Sequence, residues 1–228
     1  MADALRQIDT DLWVADGPLR YVVEMGRRMT VVRLAGDDLL LHSPAPLQPA
    51  LAEGLADLGR VRFVVAASNL HGHGSMADYQ AACPDAELFS APGLAAKRPD
   101  LRFAAELGEH ADPRWGDALD QLVFRGHRLL EEIVFLHRPS HTLIVGDVCF
   151  NIGPDAPLST RLWAWGPRLR RRVGPALPFR AGVRDKQAAR DSVKRILDWD
   201  FDRIIVGHGE IVESGGRELF QEGWRWVE

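Results

Sequence analysis

Four times in this chain an apolar, strand-like run ends in a short loop where glycine flanks a histidine or an aspartate. Residues 61–66 lead to His71-Gly72-His73, and 119–124 lead to Gly126-His127. Residues 142–145 lead to Gly146-Asp147, and 201–206 lead to Gly207-His208-Gly209. Loops far apart in sequence that each deliver an imidazole or a carboxylate are the raw material of a converging site. Neutral nitrogen and anionic oxygen donors together suit a divalent transition metal such as zinc, iron or manganese. In a locally extended loop, residues i and i+2 point to the same side, which suits the His71/His73 pair.

The segments between these loops alternate in kind. Short β runs are expected at 12–15, 21–23, 29–34 and 39–42, separated by Asp/Gly turns. Ser43-Pro44 then opens a helix with Leu47, Leu51, Leu55 and Leu58 at helical spacing. A helix over 75–82 and a short strand over 87–89 follow the H-x-H loop. The second half repeats the logic, with strands at 119–124, 133–137 and 142–145, a helix over 186–197, a strand over 201–206 and a closing helix. A β-rich half followed by mixed elements, twice over, predicts an α/β (α+β) protein of two sheets packed face to face with helices outside.

Size and charge exclude several classes. The 228 residues, 46% hydrophobic and 26% charged, suffice for one large domain with its own core. A net charge of −4 argues against a general nucleic-acid binder. Cys83 and Cys149 are the only cysteines and form no C-x-x-C pair, so neither a disulfide framework nor a zinc ribbon is expected. Neither a secretory leader nor a run of roughly 18 apolar residues is visible, so no stable membrane insertion is expected and the reading is cytoplasmic. Oligomeric state is left open.

The order H-x-H, H, D, H resembles the metallo-β-lactamase superfamily, whose first motif reads H-x-H-x-D-H. Within it the chain is similar to a family of uncharacterised proteins, DUF4336. The similar phrases are Leu12-Trp13-Val14, Arg28-Met29-Thr30-Val31-Val32-Arg33-Leu34, Leu41-His42-Ser43-Pro44, Phe135-Leu136-His137-Arg138-Pro139-Ser140 and Trp199-Asp200-Phe201-Asp202-Arg203-Ile204. The resemblance implies a four-layer αββα sandwich over 1–228. It implies metal ligands at His71, His73, a third histidine, Asp147 and His208. His141 imitates the third motif but stands six residues before Asp147 (147 − 141), whereas His127 stands twenty before it (147 − 127) and leaves room for two strands and a turn. His127 is therefore the third ligand expected. Ser75 and Met76 stand where the superfamily places an aspartate and a histidine, which depletes the second metal pocket and favours one ion over two.

Each of these residues has a plainer use. The histidines could serve as hydrogen-bonding struts in a site that has lost its metal, and Gly72 and Gly74 as loop glycines at positive φ. His42 reads as structural, His137 as a hairpin cap, His110 as a surface residue, Met76 as packing, and Trp224 and Trp226 as anchors of the last helix. Residues 155–190 are rich in Pro, Trp and Arg: Arg161, Arg168, Arg170, Arg171, Arg172, Arg180, Arg184 and Lys186 face only Asp155 and Asp185. This basic insert reads either as a solvated face or partner interface, or as a lid whose Trp163, Trp165, Arg170, Arg171 and Arg172 bind substrate. Two functions follow. One is a hydrolase that activates water on a single zinc-type ion, with Asp147 as the catalytic carboxylate, acting on a small anionic ester, thioester, lactone or phosphoester. The other is a non-catalytic binding or scaffolding protein of the same fold.

Overall fold

The computed structural model describes residues 5–70, 72–168 and 173–228. His71 and Arg170, Arg171 and Arg172 lie outside the described residues. The chain divides into two compact units, one comprising Arg28–Gly108 with the chain's start up to Gly17, the other Pro18–Arg27 with Glu109–Glu228.

The first unit is built on a seven-stranded sheet whose strands lie in chain order: β1 (Leu5–Asp9), β2 (Leu12–Gly17), β3 (Arg27–Arg33), β4 (Asp38–His42), β5 (Arg60–Ala66), β6 (Glu87–Ser90) and β7 (Phe103–Glu106). The pairs β1/β2 and β3/β4 are antiparallel, and β4 to β7 run parallel. Parallel neighbours need a crossover, and α1 (Pro49–Leu58) and α2 (Met76–Ala82) supply the first two. Leu51 and Leu55 of α1, and Met76 and Tyr79 of α2, pack with Trp13, Met29, Val31, Leu39, Leu41 and Val64 in one apolar cluster. The alternate residues Leu12, Val14, Val32, Leu40 and Val65 are buried as well. That burial of both faces explains the near-continuous apolar runs of β3 to β5.

The second unit holds a four-stranded sheet in the order β11-β10-β9-β8, made of β8 (Leu119–Phe124), β9 (Glu132–His137), β10 (Thr142–Ile144) and β11 (Arg203–Ile205). Its helices are α3 (Leu158–Trp165), α4 (Leu177–Gly182), α5 (Lys186–Leu197) and α6 (Gly216–Trp224). Helix α5 starts at the cap Asp185, whose side chain accepts the Ala188 N–H. Trp224 is fully buried among Phe124, Phe179 and Phe220, so it does anchor the last helix. Trp226 stacks on it with ring centroids 5.7 Å apart.

The sequence reading and the structure part at a few elements. The run 21–23 is no strand: Tyr21 and Val22 are exposed, and only an isolated bridge joins Arg20 to Glu24. Three apolar residues in a row cannot make a strand without a neighbouring edge to pair with. Strands β1 and β7 are the two edges of the first sheet, and their short, partly polar sequences carry little apolar periodicity. Inside the 155–190 insert, α3 and α4 are short helices whose apolar faces are interrupted by Pro and Arg. Among the described residues no helix is long and apolar enough to cross a membrane.

Candidate functional site

Three of the four ligand-type loops leave the second sheet at one end. Strand β9 is antiparallel to both β8 and β10, and β10 is parallel to β11, so β8, β10 and β11 share a direction. The loops carrying His127, Asp147 and His208 follow their C-terminal ends, where ligands of open α/β sheets are held. Strand β9 runs the other way, which brings its first residue, Glu132, to the same end.

His208 is nearly inaccessible, with 2% of its surface exposed. Its Nδ1 lies 2.6 Å from the carbonyl oxygen of Gly26. A carbonyl can only accept, so Nδ1 carries a hydrogen and, whenever the ring is neutral, the lone pair is on Nε2. Nε2 lies 3.3 Å from Asp147 Oδ1, and the ring stacks on Phe150 at 5.3 Å and 15°. A lone pair facing a carboxylate oxygen at that distance calls for a cation shared between them, either a second ring proton or a metal ion. An imidazole whose far nitrogen donates to a backbone carbonyl is the usual state of a metal ligand.

Asp147 is held by a residue that sequence reasoning missed. Glu132 is fully buried, and its carboxylate accepts three successive backbone N–H groups: Gly146 at 2.7 Å, Asp147 at 2.6 Å and Val148 at 3.2 Å. Burial pushes its pKa up to about 8, with the charge of Asp147 adding to the shift and the three donors opposing it. The available signal was an acidic residue opening the apolar run 133–137, but Glu131-Glu132 reads as an ordinary polar strand entrance.

His127 shares this end of the sheet and is engaged differently. Its Nδ1 accepts the Leu129 N–H at 3.2 Å, and its ring stacks on Phe179 at 4.5 Å. Nε2 lies so close over Gly182 that a Cβ there would come within 1.8 Å, which requires glycine at that position. With Nδ1 accepting, the proton of the neutral ring sits on Nε2, so neither nitrogen offers a lone pair outward. Burial holds the ring's pKa below the usual histidine value, against a smaller upward pull from Asp147.

The H-x-H loop belongs to the first unit. Gly72 has φ +78°, and a Cβ there would meet the Ser43 backbone at 2.6 Å, so positive φ and close approach both demand glycine. His73 is half-buried and held by Arg98, the second residue that the sequence did not reveal. Arg98 Nη1 donates to the His73 carbonyl oxygen at 2.5 Å and lies 3.2 Å from His73 Nδ1. Burial first, then the charges of Arg98 and Lys97, hold the His73 pKa below its ordinary value.

The remaining candidates fall into place. His141 is exposed and pairs with Asp200, Nδ1 to Oδ2 3.0 Å, in the β9–β10 turn. His137 lies 2.6 Å from Ser140 Oγ, a bond inside the same hairpin. His110 is exposed, and Met76 is fully buried in the core of the first unit. Trp165 is buried with its indole N–H donated to the Ile152 carbonyl at 3.0 Å, and Trp163 packs edge-on to Phe150. Both are committed to packing. The Asp147–His208 pair suits a divalent ion, whereas His73 and His127 as held do not present a lone pair to one. Among the described residues no three His, Cys, Asp or Glu side chains gather closely enough to hold a metal ion.

Comparison with solved structures gives the fold. The metallo-β-lactamase FIM-1 from Pseudomonas aeruginosa, solved in a mono-zinc form, matches with a TM-score of 0.69 at 16% identity, over 100% of this chain and 95% of that one. A metallo-β-lactamase from Pontibacter korlensis matches at 0.68 and 13% identity, over 98% and 97%. A metal-soaked flavodiiron core from Synechocystis matches at 0.69 and 11% identity, over 100% of this chain and 62% of that one. The fold is that of the metallo-β-lactamases, as the order of the four loops led us to expect. No curated relative matches the sequence. The model of a domain of unknown function, DUF4336, matches residues 13–171, and the chain belongs to that family.

Proposed function

We propose that the protein is a metal-dependent hydrolase. The observation that carries this reading is the Asp147–His208 pair, with Nε2 facing Oδ1 at 3.3 Å and Nδ1 fixed by the Gly26 carbonyl. Shared fold with a mono-zinc metallo-β-lactamase supports it. Asp147 and His208 would hold the ion; His71, His73 and His127 are the further ligands that the resemblance implies. When bound, a zinc-type ion supplies a water acidic enough to give hydroxide near neutral pH. Asp147 would orient that water and take up its proton at the carboxylate oxygen not engaged by the ion, while Glu132 fixes the backbone of the Asp147 loop by accepting three N–H bonds. The substrates that suit the basic 155–190 segment are anionic esters, thioesters, lactones or phosphoesters.

Elemental analysis of protein purified without chelator or metal-affinity column tests the reading. About one transition-metal ion per chain is expected, lost on His208→Ala. Asp147→Asn should lower kcat on any substrate turned over by about a hundredfold or more. Protein free of metal and inert across an ester, thioester, lactone and phosphoester panel would refute the proposal. A second reading, a non-catalytic binding protein, is favoured by the way His73 and His127 are used as struts.

A further inference from the structure

We infer that Arg98 is a built-in competitor for His73: the Arg98–His73 contact and ligation of a metal by His73 exclude each other. The inference rests on the metal reading above and concerns the availability of His73. Arg98 is fixed on three sides. Its Nε and Nη2 grip the two carboxylate oxygens of Asp100 at 2.8 and 2.6 Å, and Nη1 reaches the His73 carbonyl at 2.5 Å. The side chain is only 18% exposed. So anchored, the guanidinium sets Nη1 3.2 Å from His73 Nδ1.

A guanidinium has donors and no acceptor, so the Nδ1 facing it must be the acceptor of the imidazole. The ring then carries its proton on Nε2. A metal ion could bind His73 through either nitrogen, and both routes meet Arg98. Ligation through Nδ1 needs the lone pair that Nη1 already uses. Ligation through Nε2 needs the proton moved to Nδ1, where it would point at an Arg N–H. Either way the fixed positive charge of Arg98 stands beside the incoming cation. His73 therefore becomes a ligand only when Arg98 swings off Nδ1. Asp100, whose side chain is 55% exposed, can carry the guanidinium away with it, since the pair spans only two residues.

The test is the zinc affinity of the whole chain, measured with zinc alone by competition with a chromophoric chelator, on folded protein checked by circular dichroism. Arg98→Ala should bind zinc about tenfold more tightly or better than wild type. Arg98→Gln, which keeps a neutral donor for the His73 carbonyl, should move in the same direction. The gain should vanish when His73→Ala is added to either variant. Independently of any variant, nitrogen NMR of zinc-free wild type should show His73 protonated on Nε2, with Nδ1 as the acceptor. Tight zinc binding that ignores both Arg98 replacements, or a His73 ring protonated on Nδ1, overturns the inference and leaves the metal reading standing. Zinc bound by none of these proteins overturns both.

Discussion

At the scale of single residues, Glu132 is the group on which most depends. It is a fully buried carboxylate in the middle of three backbone donors that fix the Asp147 loop. Glu132→Ala leaves those donors without their acceptor and should cost about 3–5 kcal/mol in a denaturant melt. Glu132→Gln should cost less, because one amide oxygen still accepts while the amide nitrogen faces N–H groups. The raised pKa also fixes the sign of a pH effect. In the unfolded chain the group titrates near 4.5, in the folded chain near 8. Between those values the folded state keeps a proton that the unfolded state has lost, so this group's contribution to stability is complete below pH 4.5 and falls as pH rises to 8. Wild type should therefore lose stability over that window more steeply than Glu132→Gln. Parallel curves would show that Glu132 is ionised in the folded state throughout.

At the scale of elements, helix α2 explains why the first motif reads as it does. Ser75 precedes the helix and Met76 opens it, with the thioether fully buried against the strands of the first sheet. A position packed in that way cannot donate to an ion. Installing the superfamily residues with Ser75→Asp and Met76→His should therefore not create a second metal pocket. Replacing the methionine with an imidazole should instead cost about 2–5 kcal/mol, read as a lower Tm, with metal content unchanged. A folded double variant that gains an ion would refute this account. Helix α5 offers a smaller check: Asp185→Ala removes the acceptor for the Ala188 N–H and should cost about 1 kcal/mol.

At the scale of the whole molecule, each unit has an apolar core of its own. That of the second unit centres on Trp224, with Phe124 at 4.8 Å and Phe179 at 6.0 Å. Trp224→Ala should cost about 3–5 kcal/mol, measured by equilibrium unfolding, and a loss under 1 kcal/mol would show that the cluster can repack. Strands β2 to β6 and β8 to β11, helices α1, α2, α5 and α6, the order of the four loops and the family are all legible in the chain before it is folded. Those features are local: apolar runs of the right period and glycines at positive φ state them within a few residues. The spacing also favours His127 over His141 as a ligand; the structure puts His141 in a surface pair with Asp200 and holds His127 through the Leu129 N–H. What each candidate touches is set by the folded chain. Strand direction brings Glu132, opening β9, to the end of the sheet where Asp147 and His208 sit, and an arginine 25 residues downstream reaches His73. Hydrogen bonds between residues remote in sequence leave no periodic trace, so the partners that fix a histidine's tautomer, and with it its ability to bind a metal, are written in the fold alone.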